Sequence, residues 1–96
     1  PYCDLEIYAR TLFKKYKCYF THSLGHGIGK KIHDDPKINA ISKDKVKKYD
    51  FITIEPGIYI KDKNEIGIRI EDTIYIGNKI EILSKSPKKL INITIP

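Results

Sequence analysis

Ninety-six residues suffice for one compact domain or part of one and leave no room for a second core. Hydrophobic residues at 41%, charged residues at 31% and the lack of any Gly/Ser/Pro-rich tract exclude a disordered chain. The formal charge of +6 is spread over scattered lysines, and no basic run is interleaved with stacking aromatics, so a nucleic-acid partner is not expected.

Cys3 and Cys18 are too few for a disulfide framework, and neither a signal peptide nor an apolar run of bilayer length is present. These features predict a cytoplasmic chain with no membrane partner. The sequence contains no methionine, which points to a processed chain or a fragment.

From Asp4 to Lys17, apolar residues at Leu5, Tyr8, Ala9, Leu12, Phe13 and Tyr16 follow the three-and-four spacing of one helical face. The expectation is an amphipathic helix capped by Asp4, with lysines at its negative end. "CYFTHSLGHGIG" then changes to aromatic and β-favouring residues broken by Gly25, Gly27 and Gly29, predicting a short strand that enters a glycine-rich turn or bulge. "SKDKVKKYD" reads as a connector. Beyond Asp50 the period becomes two: Ile52 and Ile54 oppose Thr53 and Glu55, and Ile66, Ile68, Ile70, Ile74 and Ile76 oppose Arg69, Glu71, Thr73 and Tyr75. "IGNKIEIL" predicts a hairpin turning at Gly77 and Asn78 with positive φ.

Two carboxylates in this alternating region raise a physical problem. If the strands flanking "KDKNE" form a hairpin centred on Lys63, partner residue numbers add to 126 and Glu55 faces Glu71. Like charges directly opposite each other destabilise a sheet. Either a neighbouring cation compensates, for which Arg69 lies on the same face, or a divalent metal does, since carboxylate oxygens are its natural ligands. Spacing alone weighs these equally, and Pro56 threatens the register with a bulge.

The stretch "THSLGHGIGKKIHDDP" holds all three histidines of the chain, His22, His26 and His33. Glycines on both sides of His26 let its backbone approach another group closely. A lone histidine is more often structural, but three beside a glutamate pair favour the metal reading. The "HExxH" pattern of zincins is missing.

Taken together, "HSLGHGIG…IHDDP", "TIEPGIY" and "GIRIEDT" resemble the C-terminal half of the pita-bread metallopeptidases, in the Xaa-Pro dipeptidase (prolidase) and Xaa-Pro aminopeptidase branch. The resemblance runs in family order from the Asp4 helix to "KSPKKL". It implies an α+β half-domain, an antiparallel sheet with flanking helices, occupying residues 1–96 as the C-terminal portion of a catalytic domain. It also implies a peptidase cleaving Xaa-Pro bonds at the N-terminus of dipeptides or short peptides with two divalent ions, manganese, cobalt or zinc.

By motif, His26, Glu55 and Glu71 resemble metal ligands, with Glu55 also the general base and acid. His33 resembles a catalytic, substrate-contacting histidine that steadies the tetrahedral intermediate. His22 resembles a residue of the proline-side pocket, and Arg69 and Tyr59 resemble substrate-side groups. Two further aspartate ligands belong to the N-terminal half of that fold, and Asp34, Asp35 and Asp72 do not correspond to them. The resemblance therefore implies an isolated chain that is inactive until a partner half supplies those aspartates, in an enzyme expected to be a homo-oligomer. "HD" at His33 and Asp34 stands where the family has "HE", and Tyr49 and Asp50 stand near an expected glycine. The alternatives are a non-catalytic pita-bread module that binds peptides or proteins, a methionine aminopeptidase and a creatinase-like hydrolase.

Overall fold

The computed structural model describes residues 1–62 and 65–96. One helix, α1 (Tyr2–Phe13), is followed by a 3-10 turn over Lys14–Tyr19 and by seven strands: β1 (Gly25–Gly27), β2 (Asp34–Ile38), β3 (Phe51–Ile54), β4 (Gly57–Ile60), β5 (Ile66–Arg69), β6 (Asp72–Ile76) and β7 (Ile80–Ile82). Five strands form an antiparallel sheet in the order β2-β1-β3-β6-β7, and β4 and β5 form a separate two-stranded ladder. The architecture is the expected α+β.

The helix begins and ends earlier than its polar boundaries suggest. Asp4 lies in the first turn rather than at the cap, because Tyr2 is the anchor: its ring is fully buried and its hydroxyl donates to Asp50 Oδ2 at 2.7 Å. The helix stops at Phe13, where Lys14 takes a positive φ of 51 that ends α-helical pairing. Cys18 and Tyr19 consequently belong to the 3-10 turn and not to a strand. Burial also corrects the apolar face. Tyr2, Glu6, Ala9 and Phe13 face inward, while Leu5, Tyr8, Leu12 and Tyr16 are exposed.

The register follows the sequence closely. Ladder partners Phe51 and Tyr75, Ile52 and Ile74, Thr53 and Thr73, and Ile54 and Asp72 all add to 126, as do Gly57 and Arg69, Ile58 and Ile68, Tyr59 and Gly67, and Ile60 and Ile66. Pro56 therefore introduces no shift; its carbonyl accepts the Ile70 N–H at 3.3 Å. The turn expected around Lys63 lies outside the described residues. The core is Tyr2, Phe20, Leu24, Ile38 and Ile52, with Ala9, Phe13, Ile54, Ile74 and Ile76 against it. The second hairpin forms where expected, pairing Ile76 with Ile80, but neither Gly77 nor Asn78 has positive φ. Strand β2 has no counterpart in the sequence analysis; it is an edge strand, a position in which Pro36 is tolerated.

Candidate metal centre

Strand β1 is wedged between β2 and β3, and the two glycines around His26 make that possible. A Cβ on Gly25 would overlap the Thr53 carbonyl, and one on Gly27 would overlap the Asp35 carbonyl and the Pro36 nitrogen. Close approach is the whole requirement, since none of the glycines among the described residues has positive φ. The pairing of His26 with Lys37 on one side, and the bond from its N–H to Thr53 Oγ1 at 3.1 Å on the other, fix the histidine backbone.

The histidine ring is fixed as well. Nδ1 of His26 lies 2.9 Å from the Gly27 carbonyl, a group that only accepts, so Nδ1 carries the proton and the neutral ring keeps its lone pair on Nε2. Nε2 lies 3.4 Å from Glu55 Oε1. Glu55 follows β3, Glu71 follows β5, and the shared register places them opposite one another where the strand pair passes from the five-stranded sheet to the β4–β5 ladder. Ligand atoms of His26, Glu55 and Glu71 all lie within 4.8 Å of each other. An imidazole nitrogen this close to two carboxylates is balanced either by a proton on the ring or by a shared cation, and mixed N and O donors at this separation suit a divalent transition ion. These three residues fit such an ion.

Both compensating cations considered from the sequence find support, on different oxygens. Arg69 Nη1 is 3.7 Å from Glu55 Oε2, leaving Oε1 to the His26 side. Arg69 also donates through Nε to the Tyr59 hydroxyl at 2.7 Å, a bond that raises the guanidinium pKa further above its usual value. Tyr59 in turn meets His22 Nε2 at 2.8 Å. Since His22 Nδ1 faces the Ser23 carbonyl at 2.8 Å, its Nε2 is the acceptor and Tyr59 the donor. A directed chain thus runs from Arg69 through Tyr59 to His22. The exposed His33 ring lies against His26, with centroids 4.4 Å apart.

All seven residues singled out from the sequence therefore surround one open cleft or adjoin it. His22, His26, His33, Glu55 and Arg69 line it, Glu71 lines the adjoining hollow, and Tyr59 is bonded to two of its walls. Asp34, Asp35 and Asp72 stand outside the ligand group; Asp72 pairs with Lys88 at 3.2 Å. Sequence reasoning missed Lys37 and Asn39, which enter the cleft from β2 and its end. The only available signal was their alternation with the buried Ile38.

A helix-flanked antiparallel sheet thus presents to one open cleft a histidine and two glutamates that could hold a metal ion. Comparison with known proteins gives the family. Residues 1–78 match the metallopeptidase family M24, and the chain belongs to it. Divalent metal use goes with that membership. The chain is 43% identical over 91 residues to an Xaa-Pro dipeptidase of Pyrococcus furiosus, an alignment covering 92% of this chain and 26% of that protein. Among solved structures, the prolidase of Pyrococcus horikoshii OT3 superimposes with a TM-score of 0.85 at 39% identity, covering 94% of this chain and 26% of the other. An Xaa-Pro dipeptidase of Bacillus anthracis gives 0.86 at 38%, with the same coverage. The pita-bread resemblance is thereby borne out, and the chain spans about a quarter of the length of the curated relatives it matches. No helix among the described residues is long and apolar enough to cross a membrane.

Proposed function

We propose that this chain is part of a pita-bread catalytic domain, its C-terminal portion, in a peptidase that removes the N-terminal residue before proline from dipeptides or short peptides. The observation that carries the reading is the convergence of His26 Nε2 with the Glu55 and Glu71 carboxylates. His26, Glu55 and Glu71 would hold two divalent ions, manganese, cobalt or zinc, together with two aspartates from the N-terminal half of the same enzyme. When bound, such ions polarise the scissile carbonyl and lower the pKa of an attacking water.

The residues of this chain have distinct parts to play. Glu55 Oε1 faces the cleft and takes the proton of the attacking water, then returns it to the leaving amine. His33, beside His26, donates to the carbonyl oxygen as negative charge develops there. His22, locked by Tyr59 and the Ser23 carbonyl, presents a fixed ring edge to the proline side. Lys37 and Arg69 supply positive charge suited to a dipeptide's terminal carboxylate. Cytoplasmic residence and a homo-oligomeric enzyme complete the proposal.

Glu55→Gln in the complete, manganese-loaded enzyme tests it. Loss of the proton shuttle is expected to lower kcat on an Xaa-Pro dipeptide by about 10²–10⁴-fold while KM and Tm move little. A stable wild-type enzyme that binds manganese but leaves such dipeptides intact would sink the reading. The isolated 96 residues are expected to be inactive.

A further inference from the structure

We infer that Glu6 and Arg10 of α1 are positioning residues for the candidate metal centre, acting through the Phe20–Leu24 segment; the inference rests on the metallopeptidase reading above. Glu6 is 2% exposed and lies one helical turn from Arg10. Its Oε1 accepts from Arg10 Nε at 2.8 Å and lies 2.7 Å from Nη2, while Oε2 accepts the Leu24 N–H at 2.8 Å. Arg10 passes the connection on. Nη1 donates to the Phe20 carbonyl at 2.7 Å, Nη2 donates to the His22 carbonyl at 3.1 Å, and the guanidinium sits 4.3 Å over the Phe20 ring.

The same segment reaches the ligands from its other side. The Leu24 carbonyl accepts the Glu55 N–H at 2.7 Å, and Leu24 immediately precedes Gly25 and His26. Leu24 is therefore held by Glu6 through its N–H and holds Glu55 through its C=O. The pair thus fixes the backbone of His22 and, through Leu24, the backbone of Glu55 and the start of the strand that carries His26 two residues further on.

Stability alone is a poor reason for such a pair. Glu6 is buried and Arg10 only partly so, with side chains 3% and 31% exposed, and the attraction between them must first offset the water that the carboxylate gives up. Apolar residues cannot bind three backbone groups at fixed angles, which the planar fork of arginine and a two-oxygen carboxylate do together. Ligand-orienting partners outside the ligand set typically change metal affinity by 10–100-fold when removed.

The test uses the complete enzyme, with Mn²⁺ affinity from calorimetry, kcat and KM on an Xaa-Pro dipeptide, and Tm of the metal-free protein. Arg10→Lys keeps the charge without the fork and is expected to weaken Mn²⁺ binding about tenfold and to lower kcat, with little change in KM. Glu6→Gln keeps an acceptor for the Leu24 N–H and is expected to do less. The double variant Glu6→Leu/Arg10→Met is expected to fold with a lowered Tm, because it strands the Leu24 N–H, while Mn²⁺ affinity stays depressed. Recovery of both Tm and Mn²⁺ affinity in the double variant would overturn the inference, as would Mn²⁺ affinity unchanged in Arg10→Lys or loss of folding in all three variants. Wild-type enzyme that binds Mn²⁺ without cleaving the dipeptide would remove the peptidase reading alone, since the affinity comparison still decides the role of the pair.

Discussion

The inner ladder, β3 with β6, and the outer ladder, β4 with β5, are built from the same isoleucine alternation and share one register, yet they are buried differently. Ile52, Ile54, Ile74 and Ile76 of the inner ladder join the core with Tyr2 and Phe20. Ile66 and Ile68 of the outer ladder are exposed, as is Ile70 just beyond it. Period-two patterning fixes which residues pair and which share a face. What covers that face is decided by other elements: β1 pairs with β3 and α1 contributes Tyr2 to the core around Ile52, whereas only the 3-10 turn packs on β4 and β5 stays exposed.

The sharpest way to break the comparison is to cut both ladders to alanine and find equal costs. Ile52→Ala removes a fully packed side chain and is expected to lower the unfolding free energy of the chain by about 2–5 kcal/mol in urea titration. Next in size is Tyr2→Phe, which strips the Asp50 bond from the ring beneath the inner ladder and is expected to cost about 1 kcal/mol at neutral pH. Burial, and then the bond to Asp50, hold the Tyr2 phenol above its ordinary pKa. Its folded value thus exceeds its unfolded one, so this stabilisation is complete below pH about 10 and is lost as pH rises towards the folded value. Tyr2→Phe is expected to flatten that alkaline decline, which thermal melts across pH 8–11 would reveal.

A gain rather than a loss is expected at the entrance to β3. Tyr49 holds φ 78 where glycine carries no steric cost, so Tyr49→Gly is expected to raise stability by about 0.5–1 kcal/mol after the entropy of the unfolded glycine is subtracted. The smallest effect belongs to the outer ladder: Ile68→Ala in this chain is expected to stay within about 0.5 kcal/mol. A cost near that of Ile52→Ala would mean that the outer isoleucines are packed.

Much of the site was legible because it depends on counting. The facing of Glu55 and Glu71 follows from one hairpin register, and the close approach of His26 follows from two flanking glycines. The departure at Tyr49 was visible too, and the backbone there takes the left-handed conformation that glycine would adopt freely. Tertiary partners were not legible. The helical face chosen by apolar spacing included Leu5, Tyr8 and Leu12, but the core took Tyr2 and Glu6, because a carboxylate paired with Arg10 and a backbone N–H is satisfied when buried. The i, i+4 spacing of Glu6 and Arg10 suits a helical pair, but nothing in the spacing says that it faces inward.

The two glutamates stand where one continuous strand pair changes from the five-stranded sheet to its own ladder, with Pro56, which has no N–H to donate, directly after Glu55. They work like the jaws of a calliper whose arms are the two ladders. The gap between the carboxylates is then governed by the angle at which the outer ladder leaves the inner one, and a small rotation of the solvent-facing arm is felt first at the place where an ion would be gripped.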